Sequence, residues 1–130
     1  MGAGQAYACS CTADAFQPAA SRKNIARAQY IVQGHVSFVA PVDEEKTAEY
    51  KGVIVFGIVV EKTLKGDSSM KMLTAYAHTK STCGVSVESL QRMDFFVLYK
   101  KDDTLTLAGS CENYLSAEDR LALMHGVYKK

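Results

Sequence analysis

From Val53 to Val60 the chain reads Val-Ile-Val-Phe-Gly-Ile-Val-Val, eight residues without one polar side chain. The run is too short for a membrane helix, which needs about eighteen apolar residues or more. Its richness in Val and Ile favours extended backbone over helix. It therefore reads as a strand buried along much of both faces.

Its surroundings extend the pattern. From Tyr30 the residues alternate with period two: Tyr30, Val32, Gly34, Val36 and Phe38 on one face, Ile31, Gln33, His35 and Ser37 on the other. Pro41 to Lys51 is a charged loop, and Lys65-Gly66-Asp67-Ser68 is a turn. Met70 to Ala77 reads as a third strand. Phe95 to Tyr99 and Leu105 to Ala108 form a hairpin turning through Asp102-Asp103. Ala19 to Ala28, after Pro18, is helical. A second helix follows Ser116, a fitting N-cap with Glu118 and Asp119 in the first turn. Ala117, Leu121, Met124 and Tyr128 recur on it as one apolar stripe. The expected fold is all-β with flanking helices: a five-stranded Greek-key barrel of the OB type, with a helix near each end.

At 130 residues the chain is long enough for one domain with a real core. Fifteen Lys and Arg against fourteen Asp and Glu leave a formal charge of +1. That balance gives no electrostatic footprint for nucleic acid or an acidic membrane surface.

Four cysteines stand at 9, 11, 83 and 111. Ala6-Tyr7-Ala8 in front of Cys9 is the small-residue pattern a signal peptidase reads. Residues 1–8 thus read as a signal-peptide remnant or leader, and 9–130 as the single mature domain, secreted or periplasmic. In that compartment four cysteines imply two disulfides. Cys9 and Cys11 alternate faces if extended, so a bond between them would be strained. Two pairings remain: 9 with 83 and 11 with 111, or the crossed alternative. In the first the partners lie 74 (83 less 9) and 100 (111 less 11) residues apart. The chain-entropy model assigns about 4 to 5 kcal/mol to each such loop. In either case both bridges pin one tripeptide, Cys9-Ser10-Cys11.

These residues carry a family likeness. Cys9-Ser10-Cys11 resembles the opening of the tissue inhibitors of metalloproteinases, the netrin-like OB-fold family. Ala26-Arg27-Ala28-Gln29-Tyr30-Ile31-Val32 is similar to that family's Arg-Ala-Lys segment leading into the first strand. Leu64-Lys65-Gly66 resembles the end of its second strand, Ser81-Thr82-Cys83-Gly84 its Ser-Val-Cys-Gly connector, and Ser110-Cys111 its later cysteine. The likeness runs in order from Cys9 to Tyr128. It differs from animal members in lacking cysteines for a third disulfide, the proline after Cys-x-Cys (here Thr12-Ala13-Asp14) and a C-terminal domain. The whole resembles a minimal relative, of the kind expected in a bacterium.

The resemblance implies disulfides Cys9–Cys83 and Cys11–Cys111. It also implies a function: inhibition of a zinc metalloproteinase by a monomer that is not itself an enzyme and carries no cofactor. In the family the amine and carbonyl oxygen of the first residue, here Cys9, chelate the partner's zinc. An α-amine has a pKa near 8, so a neutral fraction is available at physiological pH. Catalytic zinc keeps one position open for water, and bidentate N,O binding there would displace it. Ser10 would enter the pocket beside the metal, and Ser81 and Thr82, tethered through Cys83, would flank the same ridge together with Cys11. A ridge rigid before binding loses less entropy on association.

Three other readings compete. A non-inhibitory secreted netrin-like module would use its barrel surface for protein interaction. Cys9 and Cys11 as free thiols would suit a soft metal or redox chemistry, yet no histidine is near in sequence. His35, His78 and His125 read as solvated residues at mid-strand, strand end and helix end. Purely structural disulfides are the bland case. Tyr30, Tyr76 and Tyr99 read as packing residues with polar tips, Met70 and Met72 as core, and Asp43-Glu44-Glu45-Lys46 as a solvated loop.

Overall fold

A computed structural model describes residues 13–41, 53–78, 85–109 and 113–126. A 3₁₀ turn, Ala13–Phe16, leads into helix α1, Pro18–Arg27. Strands β1 (Tyr30–Pro41), β2 (Val53–Lys65) and β3 (Met72–His78) follow. Short helix α2 (Val87–Gln91), strands β4 (Phe95–Lys101) and β5 (Thr104–Leu107), and helix α3 (Ala117–Met124) complete the order. The strands close in the order β1-β2-β3-β5-β4. Every neighbouring pair is antiparallel except β3 and β5, which meet in parallel at Tyr76 and Thr106. The fold is an OB-like five-stranded barrel with flanking helices, as expected.

The apolar run of β2 explains the closure. Ile54, Phe56 and Ile58 point into the barrel, where they join Val32, Leu73, Phe96 and Leu98. The rings of Phe56 and Phe96 lie 6.2 Å apart, tilted by 34°. Burying such side chains contributes about 1.5 to 3 kcal/mol each, and it demands that the sheet curl around them. Curling is achieved along β1 and β2, whose register shifts three times. One shift places Gly34 so close to β2 that a Cβ there would lie 2.1 Å from the Val59 carbonyl oxygen. Only glycine permits that approach of two backbones.

The bulge at Ser37 corrects the expected alternation. Val36 pairs with Ile58 and Phe38 with Gly57, so Ser37 is an extra residue. Beyond it the faces exchange. Val39 packs against the inner core, while Phe38 is 45% exposed. Met70 and Met72 also depart from expectation. Both are exposed, because Leu73, Ala75 and Ala77 are the residues of that strand that enter the barrel. Tyr30, Tyr76 and Tyr99 are each half-buried, as expected of packing residues with polar tips.

The connections follow local chemistry. Gly66 takes a φ of 109° at the end of β2. Asp67 then accepts from the Ser69 N–H at 2.9 Å and hydroxyl at 2.7 Å. Those bonds, the hydroxyl's first, hold its carboxyl below the ordinary value. The hairpin at Asp102-Asp103 forms as expected, with Asp102 at a φ of 55°. Helix α2 went unread in the sequence, since five residues are too few for a period to show. Its Ser86 cap accepts from the Ser89 N–H at 3.0 Å, and its Leu90 is fully buried in the barrel core.

A second core lies outside the barrel. Ile25 and Ala28 from the α1 end meet Ile31, Leu64 and Val97 from the outer barrel wall, with Leu115 and Leu123 beside α3. Lys65 fastens α1 from below by donating to the carbonyl oxygens of Ile25 at 2.6 Å and Ala26 at 3.2 Å, satisfying acceptors that a helix end leaves open. Helix α3 begins at its Ser116 cap as expected. Its buried face is not the expected stripe: Leu121 and Met124 are exposed, and Asp119 and Leu123 are buried. No helix among the described residues is long and apolar enough to cross a membrane.

Candidate functional site: the anchors of the terminal ridge

The proposed ridge residues Cys9, Ser10, Cys11, Ser81 and Thr82 lie outside the described residues, as do Cys83, Cys111 and the Asp43–Lys46 loop. What the structure defines is the frame from which those segments emerge. Strand register places Pro41 opposite Ile54, and Val53 opposite His78. Pro41, Val53 and His78 therefore lie at the same end of the barrel. At that end the Val85 N–H donates to the His78 carbonyl oxygen at 2.9 Å. Val85 also packs against the inner core, so both described residues flanking Ser81, Thr82 and Cys83 are fixed.

The other two flanks meet each other. Phe16, soon after Cys11, sets its ring edge against Tyr114, soon after Cys111, with centroids 5.6 Å apart and planes at 85°. Such edge-to-face pairs contribute about 0.5 to 1.5 kcal/mol beyond the area they bury. The 3₁₀ turn is thereby tied to the approach of α3.

Behind that contact runs a polar network that sequence reasoning missed. Ser21, fully buried, donates its hydroxyl to the Asp119 carboxylate and accepts from the Ser116 N–H at 2.9 Å. Ser116 in turn accepts from the Asp119 N–H at 3.1 Å. Asn24 donates its amide to the Tyr114 carbonyl oxygen at 2.9 Å and accepts from Arg27 at 2.8 Å. Arg27 finally lies over the Tyr99 ring, 5.4 Å from its centroid. Every member is satisfied, and no buried side-chain polar atom among the described residues lacks a partner. The only available signal was a polar Ser21 within α1 and an acid, Asp119, in the first turn of α3, and across the 98 residues that separate them no periodicity reports the bond.

The histidines stand apart, as expected. His35 is exposed and meets Glu61 at 3.3 Å; His78 and His125 are also exposed, at strand and helix ends. Among the described residues no cluster of His, Cys, Asp and Glu could hold a metal ion.

No known protein-family profile matches the chain, and no curated protein matches it.

Proposed function

We propose that the chain is a secreted or periplasmic, monomeric inhibitor of a zinc metalloproteinase, acting through a mature terminus at Cys9. The observation that favours this reading is the arrangement of the anchors. His78 and Val85, on either side of 79–84, are held together, and the chain following Cys11 is held against the chain following Cys111 through Phe16 and Tyr114. An OB-like barrel that fixes those flanks is the frame a rigid ridge of Cys9, Ser10, Cys11, Ser81 and Thr82 needs. On this reading the Cys9 amine and carbonyl oxygen take the protease zinc, and disulfides Cys9–Cys83 and Cys11–Cys111 hold the ridge.

The chemistry sets a pH direction. A protonated amine has no lone pair for zinc, so inhibition strengthens as pH rises from about 6 toward 8, through the α-amine's ordinary pKa. The first test is N-terminal sequencing of the natively exported protein, with a thiol titration under denaturing conditions. A start at Cys9 with no free thiol is the expected result. A start anywhere else removes zinc chelation, and free thiols at Cys9 and Cys11 turn the reading to metal or redox chemistry.

A second reading is a netrin-like interaction module, and one surface favours it. On the outer wall of β1, β2 and β3, Phe38 and Met72 are 45% and 56% exposed, on rows that pair through Gly57 and Val59. Substituting both by Ser would abolish partner binding on this reading and leave protease inhibition unchanged on the first.

A further inference from the structure

A cleft of about 250 Å³ opens where β4 and β5 meet the segment leading into α3. Its buried lining includes Val97 and Leu115, and three rings, Phe16, Phe95 and Tyr114, stand around it. Arg120 is the one charged residue of the lining, and no Asp or Glu lies among the described residues there. Its guanidinium sits over the Phe95 ring, 4.7 Å from the centroid, and makes no ion pair among the described residues. A cation held by a ring rather than by a carboxylate keeps its planar N–H fork available for an anion.

Size limits the guest. Cavities of about 150 Å³ hold benzene, while drug-sized ligands occupy sites of about 300 to 1,000 Å³. The cleft thus fits one aromatic ring with a small polar group. We propose that it binds a small aromatic carboxylate, its ring against Phe16, Phe95 and Tyr114 and its carboxylate on Arg120. The cleft shares Phe16 and Tyr114 with the anchors of the proposed ridge, but its binding does not depend on the inhibitory reading.

The test is a titration of the full chain with benzoate, followed by amide nitrogen–proton NMR. A ligand this small binds with a Kd on the order of 1 mM, so benzoate up to about 20 mM saturates the site. The expected result is saturable shifts centred on Phe95, Leu115 and Arg120. Benzamide, with the same ring and no charge, binds at least about tenfold more weakly, as does benzoate to Arg120→Gln. Arg120 is exposed, so the variant keeps the wild-type spectrum elsewhere and its fold is read in the same experiment. No saturable shift, shifts centred elsewhere, equal binding of benzamide, or undiminished binding to Arg120→Gln would each overturn the proposal.

Discussion

The molecule has two cores, and they are built differently. Inside the barrel, Val32, Ile54, Phe56, Ile58, Phe96 and Leu98 form an apolar cluster, and of the buried polar residues among those described Thr63, opposite Val32, belongs to the barrel wall. Outside it, the α1 and α3 region combines Ile25, Leu64, Val97 and Leu123 with buried Ser21, Asn24 and Asp119. An apolar core tolerates sliding, because dispersion and burial have no direction. A hydrogen-bonded one does not, since a shift of about 1 Å leaves a buried acceptor unpaired. The barrel core thus makes the domain stable, and the outer core sets where α3 and the chain leading to it sit. That second task is the one the proposed ridge needs.

Four substitutions probe this division. The largest loss is expected from Phe56→Ala, about 3 to 5 kcal/mol from the cavity left beside Phe96, measured as a lower urea midpoint at unchanged slope. Leu123→Ala removes a fully buried side chain from the outer core. It costs about 2 to 4 kcal/mol, less than in the barrel because the end of α3 can settle inward. Asp119→Ala strands the Ser21 hydroxyl and costs about 1 to 3 kcal/mol. Hydrogen exchange should then quicken in α3 and its approach while β2 stays protected. Equal acceleration in β2 would contradict the division. Leu121→Ala, on the exposed side of α3, changes stability by no more than about 0.5 kcal/mol; a cost like that of Leu123 would restore the stripe expected from periodicity.

A smaller effect lies outside both cores. The Asp67 carboxyl is held low by Ser69, so its contribution is present above the unfolded value of about 3.9 and lost as pH falls through the lower folded value. The melting difference between wild type and Asp67→Asn is expected at pH 7 and shrinks as pH falls below the ordinary carboxyl value; a difference independent of pH would remove this account.

The contrast also explains what the sequence could reveal. The barrel was legible because Val53–Val60 and its alternating neighbours state burial in residue type alone. The Ser37 bulge was not, because one inserted residue moves Phe38 to solvent and Val39 to the core without altering composition. Helix α3 was placed correctly by its cap, yet its face was misassigned. Asp119 looks like a solvated first-turn acid until Ser21, from the other end of the chain, is beside it. Met72 looked apolar enough for the core, but strand alternation gives that place to Leu73. Of the candidate site, the frame is defined through His78, Val85, Phe16 and Tyr114, while Cys9, Ser10, Cys11, Ser81 and Thr82 lie beyond the described residues.

The central claim is that a free amine at Cys9 is the inhibitory group, and a paired assay tests it most directly. The chain beginning at Met1 and the chain beginning at Cys9 are compared for inhibition across a panel of zinc metalloproteinases. In the longer form the Cys9 nitrogen is an amide and cannot serve as a zinc ligand. The expected result is inhibition of at least one protease by the shorter form, weakened at least about a hundredfold in the longer, the scale of losing a metal-ligand contact. Equal inhibition by both forms, or none by the form starting at Cys9, would contradict the account.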